Sequence, residues 1–399
     1  MITIVSTPQK FTPAFNPVVF ALTSDNYALP GFQYVADVYS GAGQLLATLK
    51  YQPPVTGTDA VVIDLAKMLS DLVGSNYLRI DSTISPAIVA QGGGCVADYS
   101  VQFGEQYSGV IHGNLASYSG YVFNGAIDQL RWPWFDYTDY ANTKFLTLFQ
   151  RQTVRKRDNM MLSMLQLDTV AVTGFDIKVY NSAGTQTYTT TISNPYTSLS
   201  NVQHRALHLC VGFDYLYARL GFSSTIYSQA AYYTIAPAGG AAMRIDLYSQ
   251  CERFPGVRLR FLNQLGGFDS FNFMLDQKAS QSTERKQTLR QPGNRATGYD
   301  AGNRRFEVLN RNYYTRTVKK LKAISDYLTD DESKLLGDML DSPLAYQEAD
   351  ATEFGGTGIV LLPVNIKTTD YEQKKSRVDK LFNLEVDLEI STDNYRQVI

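Results

Sequence analysis

Two segments of this 399-residue chain repeat one hairpin pattern, and this repetition is the strongest constraint on its fold. Residues 36–49 read ADVYSGAGQLLATL, and residues 177–190 read IKVYNSAGTQTYTT. Alternating side chains on both sides of a small-residue turn are typical of two antiparallel strands, and the turn glycine, Gly43 or Gly184, can adopt a positive φ. The repetition predicts a chain built from β modules. Two explanations of the repetition remain open: duplication of one domain, or convergence of two unrelated segments on a common hairpin.

The length and composition indicate several β domains. A chain of 399 residues is too long for one core, and its 27 tyrosines favour strands and hydrated contact surfaces. We predict a mainly β fold, with tandem antiparallel β-sandwich domains followed by a C-terminal β-rich (α+β) domain that carries a long extended arm and few short helices. The predicted domains are residues 1–125, 126–250 and 251–399, with the arm at 277–325.

Two short helices are predicted between the strands. Residues 63–74 carry apolar side chains at helical spacing and end in a glycine, which suits a left-handed cap. Thr329 and Glu332 have the spacing of a capping box before the apolar residues of 335–340, and Pro343 follows as a stop signal. Strands are expected on both sides of each helix.

Both tryptophans of the chain lie in one aromatic run, RWPWFDY at 131–137. Side chains of this size favour burial, so one interpretation is aromatic packing at a domain junction. The other is a platform for sugar stacking or for docking of a partner protein. The residues of this candidate platform are Trp132, Trp134, Phe135 and Tyr137.

Basic residues concentrate in the predicted arm, and acidic residues follow it between 326 and 353. A long polar segment of this kind usually serves a partner. The opposite charges can pair within the domain or across a subunit boundary. The net charge of −2 argues against nucleic acid as the partner. The candidate assembly contacts are Arg285, Lys286, Arg290, Arg304, Arg305 and Arg311.

Motifs of catalysis and cofactor binding are missing from the sequence. There is no GxSxG, GxxxxGK[ST], GxGxxG or CxxC pattern. His204, His208 and Cys210 would bring two imidazoles to one metal if they lay on a helix, but nothing else completes such a site. A carboxylate pair for glycoside hydrolysis would not be visible from spacing. We predict a protein that is not an enzyme and has neither a cofactor nor a metal.

The cysteines and the hydropathy pattern indicate the cellular compartment of the protein. Cys95, Cys210 and Cys251 are odd in number and far apart, which does not describe a disulfide framework and favours a reducing compartment. The first residues lack a charged and then apolar leader, and no run of 18 apolar residues occurs. We therefore expect neither a secretion signal nor a membrane span.

Several segments carry a resemblance to a known group of proteins. They are residues 15–20 (FNPVVF) with 24–26 (SDN), 261–273 (FLNQLGGFDSFNF), 326–333 (DYLTDDES), 340–343 (LDSP), 363–366 (PVNI), and 371–375 (YEQKK) through 381–384 (LFNL). The chain resembles structural proteins of tailed-bacteriophage virions, particularly tail and baseplate proteins of phages that infect Bacteroidetes-type hosts. The matching motifs are structural signatures and include no catalytic fingerprint.

The resemblance implies a function in assembly. It implies a β-rich, non-enzymatic subunit of the virion, made in the host cytoplasm, which forms a symmetric ring in the tail or baseplate with copies of itself and other virion proteins. One alternative is a neck or collar protein that contacts DNA through its basic arm. Another is a carbohydrate-binding adhesin that presents Trp132 and Trp134 to host glycans.

Overall fold

The computed structural model describes residues 1–55, 59–74, 87–248, 256–289, 310–368, 382–391 and 394–395. The chain divides into two compact units, one of residues 1–250 with 261–271 and one of residues 251–260 with 272–399. Strands dominate both units, which confirms the predicted mainly β fold. Within the described ranges, no helix combines the length and the apolar character that crossing a membrane requires.

The N-terminal part of the first unit consists of strands and one short helix. They are β1 (Ile2–Ser6), β2 (Phe11–Pro13), β3 (Val19–Ser24), β4 (Gln33–Ser40), β5 (Leu45–Tyr51), β6 (Val61–Asp64), α1 (Ala66–Leu69), β7 (Val89–Gln91), β8 (Val96–Tyr107) and β9 (Val110–Phe123). The predicted helix at 63–74 is thus a single α-turn, continued by a 3₁₀ turn at Ser70–Leu72. The Asp64 carboxylate starts it by accepting the N–H of Ala66 at 2.9 Å.

The following part of the first unit has a similar sequence of elements, without counterparts of β1 and β7 and with two helices in place of one. They are β10 (Arg151–Val154), β11 (Met161–Leu165), β12 (Gly174–Asn181), β13 (Gln186–Ser193), β14 (Ala206–Cys210), α2 (Phe213–Leu220), α3 (Ser224–Gln229), β15 (Ala230–Pro237) and β16 (Met243–Leu247). Helix α2 ends at Gly221, whose φ of 64° makes it a left-handed cap.

The two parts share one strand topology. Each contains a five-stranded sheet, in the order β2-β9-β8-β4-β5 in the first part and β10-β16-β15-β12-β13 in the second. In both sheets the first pair of strands is parallel and every following pair is antiparallel. In both, a second antiparallel pair, β3 with β6 or β11 with β14, forms a smaller sheet. Order and direction agree for all five strands of the larger sheets and for this second pair, which favours duplication over convergence.

The repeated hairpins have the same turn as well as the same sequence pattern. In the first, the N–H of Gly43 donates to the carbonyl of Ser40 at 2.8 Å, and Gly43 has a φ of 78°. In the second, the N–H of Gly184 donates to the carbonyl of Asn181 at 3.0 Å, and Gly184 has a φ of 77°. A register shift follows Val38 in β4 and the equivalent Val179 in β12. The predicted hairpins and their positive-φ glycines are therefore confirmed.

The first part is a β-sandwich. Its smaller sheet, β1-β3-β6, contributes to one core with the five-stranded sheet. Phe20 of β3 meets Phe103 of β8 with ring centroids 5.2 Å apart, and Ile63 and Val101 are also completely buried in this core. Buried and exposed residues alternate along β3 and β6, as they do in an antiparallel sheet that covers a core with one face.

The two parts of the first unit are joined by strand pairing and by a buried arginine. Strand β7 of the first part pairs with β14 of the second, so one three-stranded sheet contains residues from both. Arg205 is 1% exposed, stacks its guanidinium 5.6 Å from the ring of Tyr121, and donates to the carbonyls of Leu167 and Leu199. The predicted domain boundary at residue 125 falls inside this unit.

The remaining elements belong to the C-terminal third of the chain. They are β17 (Val257–Leu262), β18 (Phe268–Phe273), β19 (Asp276–Leu289), β20 (Asn310–Ile324), α4 (Asp330–Leu340), β21 (Ala345–Asp350), β22 (Ile359–Ile366), β23 (Glu385–Ile390) and β24 (Asn394–Tyr395). The strands form one sheet in the order β18-β17-β21-β22-β23-β20-β19, and β24 also pairs with β20.

Helix α4 begins with the predicted capping box. The N–H of Glu332 donates to Oγ1 of Thr329 at 3.2 Å, and the N–H of Thr329 donates to Oε2 of Glu332 at 3.0 Å. Leu336 and Met339 are completely buried, while Asp330 and Asp331 lie in the first turn, where the helix dipole favours negative charge. The predicted helix is therefore confirmed.

Candidate functional site

The predicted basic arm is a long antiparallel hairpin. Strands β19 and β20 pair from Asp276 opposite Ile324 to Leu289 opposite Asn310, with one register shift after Lys286. Fourteen residues at about 3.4 Å each make β19 roughly 45 Å long. The sequence predicted an extended arm or a loop, and the structure shows that two strands of this segment stabilise each other by cross-strand hydrogen bonds.

Strand β19 of this hairpin is exposed on both faces, whereas β20 is half-buried over much of its length. Every described side chain from Lys278 to Leu289 is exposed except that of Thr283, which is half-buried. Among the strands that the structure describes, β19 lies at the edge of its sheet and pairs only with β20. Strand β23 pairs with β20 from Lys320 to Ile324, and β24 pairs with it at Arg316 and Thr317. Among the described residues, the end of the hairpin beyond Arg316 is a two-stranded ribbon, and such a ribbon is at best marginally stable alone in water.

The charges at the base of the hairpin are paired within the chain. Lys322 forms an ion pair with Glu385 of β23, and this hydrogen bond raises the pKa of the lysine. Lys320 lies opposite Glu389 in the strand register. Part of the predicted charge pairing is thus intramolecular, although its acidic partners lie in β23 and not in the acidic stretch at 326–353.

Toward the distal end, two described cations, Arg285 and Lys286, form no ion pair with the acidic residues that the structure describes. Lys286 lies 5.1 Å from the ring of Tyr314 on the neighbouring strand. Arg285 has no hydrogen bond or ion pair with the part of the chain that the structure describes. Arg311 lies in β20, but its side chain is not among the described ones, and Arg290, Arg304 and Arg305 lie outside the described residues.

The aromatic run forms one wall of a surface groove in the first unit. The groove has a volume of about 240 Å³ and is lined by Ile127, Leu130, Arg131, Trp134, Phe135, Asp136, Asp139, Tyr140, Leu148, Gln264 and Leu265. Trp134 and Leu130 are each 85% exposed, whereas Phe135 is 9% exposed. The sequence predicted burial of the aromatic cluster, and for Trp134 this expectation is wrong.

The four predicted platform residues have different environments. Phe135 is buried and stacks between Trp132, at 6.0 Å, and Tyr140, at 5.7 Å. Tyr137 packs on Phe11 of β2 at 5.4 Å, away from the groove lining. Three of the four aromatic residues therefore hold the loop in place, and only Trp134 presents its ring to solvent.

The histidines predicted as a fragment of a metal site are held apart by the backbone. His204 lies in a 3₁₀ turn and His208 lies in β14, so the helical spacing assumed from sequence does not occur. His208 is completely buried, with Nδ1 at 2.9 Å from Oγ of Ser163 and Nε2 at 3.8 Å from Sγ of Cys95. Among the described residues, no three His, Cys, Asp or Glu side chains cluster as metal ligands would.

The Cys95, His208 and Ser163 cluster was missed from the sequence because its members are far apart in the chain. Burial lowers the pKa of His208 to about 3, so the imidazole is neutral. All three side chains are at most 3% exposed. A nucleophile must reach its substrate, and these buried groups instead satisfy one another's hydrogen bonds inside the first unit.

The C-terminal sheet contains a second buried polar cluster that sequence did not indicate. Arg258 and Arg260 of β17 share the carboxylate of Glu348 on β21, and all three side chains are at most 4% exposed. Arg258 also donates to Oδ1 of Asn272 at 3.0 Å. Two guanidinium groups therefore face a single carboxylate in the interior.

Comparison with known sequences gives no match from which a function could be inferred. No known protein family matches the chain, and no curated protein is detectably similar to it in sequence. The functional argument therefore depends on the arm and the groove themselves.

Proposed function

We propose that this chain is a non-enzymatic structural subunit of a tailed-phage virion. In this proposal the subunit assembles with copies of itself, and with neighbouring virion proteins, into a ring in the tail or baseplate. The observation that carries the proposal is the edge strand β19 of the β19–β20 hairpin, whose described side chains from Lys278 to Leu289 are exposed on both faces except for that of Thr283. The resemblance of several sequence segments to phage tail and baseplate proteins supports the same function.

The low intrinsic stability of the hairpin favours its contact with a neighbouring subunit. An isolated two-stranded ribbon buries too little apolar surface to be stable in water. The free edge of β19 offers N–H and C=O groups to another strand. Arg285 and Lys286 add positive charge for acidic groups of a neighbouring subunit. In our proposal, contact with that neighbour covers the ribbon, and a head-to-tail contact of this kind closes into a ring if its rotation is suitable.

The first experiment shortens the arm and measures assembly. Because Arg285 and Thr315 lie opposite each other, residues 286–314 can be replaced by an Asn-Gly turn that keeps the base of the hairpin. We expect the wild-type chain to form rings in electron microscopy and a discrete oligomer in sedimentation velocity, and the shortened chain to sediment as a folded monomer. Normal assembly of the shortened chain would contradict an arm-dependent ring.

The second experiment tests the charges of the arm. Arg285→Glu combined with Lys286→Glu should weaken assembly, while Lys178→Glu on the exposed face of β12 serves as the matched control. A wild-type protein that is strictly monomeric and missing from virions would contradict the whole proposal. Duplex DNA binding that falls steeply with salt, and is lost in the double variant, would instead favour the neck or collar position.

A further inference from the structure

The groove beside Trp134 has the properties of a preformed ligand site. The turn that carries Trp134 is fixed by backbone hydrogen bonds, from the Trp132 N–H to the Asp128 carbonyl at 2.8 Å and from the Trp134 N–H to the Arg131 carbonyl at 3.0 Å. Pro133 restricts the same turn. The exposed indole is therefore held on a rigid backbone, which lowers the entropy lost when a ligand is bound.

A segment that is distant in the sequence also holds this loop in place through hydrogen bonds. The Asp128 N–H donates to Oε1 of Gln264 at 3.0 Å, and the Ala126 N–H donates to the Gln264 carbonyl at 2.9 Å. Gln264 and Leu265 then form part of the groove lining, with Phe135 buried beneath. A partly apolar concavity with a few fixed polar groups at its rim is the usual form of a small-molecule site.

The rim carries charged groups of both signs. Asp139 has no side-chain hydrogen bond or ion pair with the described part of the chain, and one oxygen of Asp136 accepts from the N–H and hydroxyl of Thr138 at 2.9 and 2.8 Å. Arg131 lines the same groove. Burial raises the pKa of Tyr140, the negative charge of Asp139 raises this pKa further, and the positive charge of Arg131 lowers it. The charges of Asp139 and Arg131 therefore both act on the Tyr140 hydroxyl.

The mixture of charges selects the class of ligand. A cation stacked on the indole would face the guanidinium of Arg131, and an anion would face Asp136 and Asp139. A neutral polyhydroxylated ligand meets neither repulsion, because each hydroxyl can donate to a carboxylate and accept from a guanidinium. The apolar C–H face of a sugar ring can at the same time stack on Trp134.

We infer that the groove beside Trp134 binds a neutral saccharide. Trp134 provides the stacking surface, Asp136 and Asp139 accept hydrogen bonds from sugar hydroxyls, and Arg131 donates to them. This inference does not depend on assembly, since every residue involved belongs to one copy of the first unit.

Binding to a defined panel tests the inference. The full-length chain is exposed to neutral hexose and N-acetylhexosamine oligosaccharides, to sialylated oligosaccharides and to an oligolysine peptide, and binding is followed by glycan array and by tryptophan fluorescence. We expect binding to at least one neutral oligosaccharide. Trp134→Ala should weaken it by at least about tenfold, and Asp139→Asn should also weaken it measurably.

Control variants distinguish a loss of sugar binding from a loss of folding. Trp134→Ala should keep the wild-type thermal unfolding temperature, because the side chain is 85% exposed. Phe354→Ala removes another exposed ring, outside the groove, and should bind the sugar as the wild type does. Binding of no neutral sugar, equal binding by the Trp134→Ala variant, or preference for sialylated sugars or oligolysine would overturn the inference.

Discussion

Nε of Arg258 lies 3.2 Å from Oε2 of Glu348, and both side chains are almost completely buried. The same carboxylate also accepts from Nη2 of Arg260, whose Nε and Nη1 are buried without a hydrogen-bond partner. Glu348 thus serves as a shared counter-charge for two buried guanidinium groups. Because both depend on this one carboxylate, the cluster is sensitive to its loss.

Replacement of this carboxylate should destabilise the C-terminal unit strongly. Glu348→Gln removes the carboxylate that both buried guanidinium groups share, so we expect a loss of about 3–5 kcal/mol in the free energy of unfolding. Chemical denaturation measures it, with Glu353→Gln at an exposed position as control. Arg260→Met should cost much less, because it removes the unsatisfied nitrogens and leaves Arg258 paired. Equal losses for Glu348→Gln and Arg260→Met would contradict this account.

The buried imidazole of His208 should make stability depend on pH. Its folded-state pKa of about 3 lies below the ordinary value of 6.5, so below pH 6.5 the unfolded chain binds a proton that the folded chain does not. The contribution of neutral His208 to the free energy of unfolding is complete above pH 6.5. It decreases by about 1.4 kcal/mol per pH unit as the pH falls toward 3.

A variant without this imidazole isolates the effect. His208→Gln should be less stable than the wild type at neutral pH, and the difference should shrink as the solution is acidified. Denaturation curves at several pH values between 4 and 7 provide the comparison, with His112→Asn as a histidine control outside the cluster. Parallel pH profiles for the wild type and His208→Gln would show that burial of this ring does not control the acid response.

The two repeated turns should respond alike to the same substitution. Gly43 and Gly184 both have positive φ and no atom closer than 4.0 Å to an added Cβ, so Gly→Ala adds backbone strain without a steric clash. We expect each substitution to cost about 1 kcal/mol. Gly113→Ala, in equally open space without positive φ, should be nearly neutral. A clearly unequal response of the two turns to thermal or chemical unfolding would argue against their equivalence.

The capping box of α4 should contribute measurably to stability. Thr329→Ala removes the acceptor for the N–H of Glu332 and should cost about 1 kcal/mol. Thr329→Ser retains the hydroxyl and should retain most of the stability. Denaturant titration of the two variants compares them directly, and identical curves would mean that the helix end does not depend on this side chain.

Several features of the fold could be predicted because short segments encode them. The hairpins around Gly43 and Gly184 and the capping box at Thr329 depend on residues within a few positions of one another. The basic arm was predicted from its length and charge. Its hairpin form was not, because the pairing of Lys278 with Lys322 joins residues of the same charge, which local propensity does not favour.

The candidate groove shows the limit of local patterns. Trp132 and Trp134 are two residues apart and equally apolar, yet only Trp134 is exposed, because Phe135 and Tyr140 take up the packing positions behind the turn. Gln264 joins the groove from more than a hundred residues away. The sequence left open whether this cluster is buried or forms a platform, and the packing decided which of its rings is exposed.

By itself the sequence determined the β class, the repeated hairpin and the charged arm, since alternation, turn glycines and charge act between near neighbours. Only the tertiary structure decided that β7 pairs with β14, that Cys95 and Ser163 meet at His208, and that two arginines share Glu348. The physical reason is that strand pairing and burial join segments distant in the chain, and their choice depends on the free energy of the whole core.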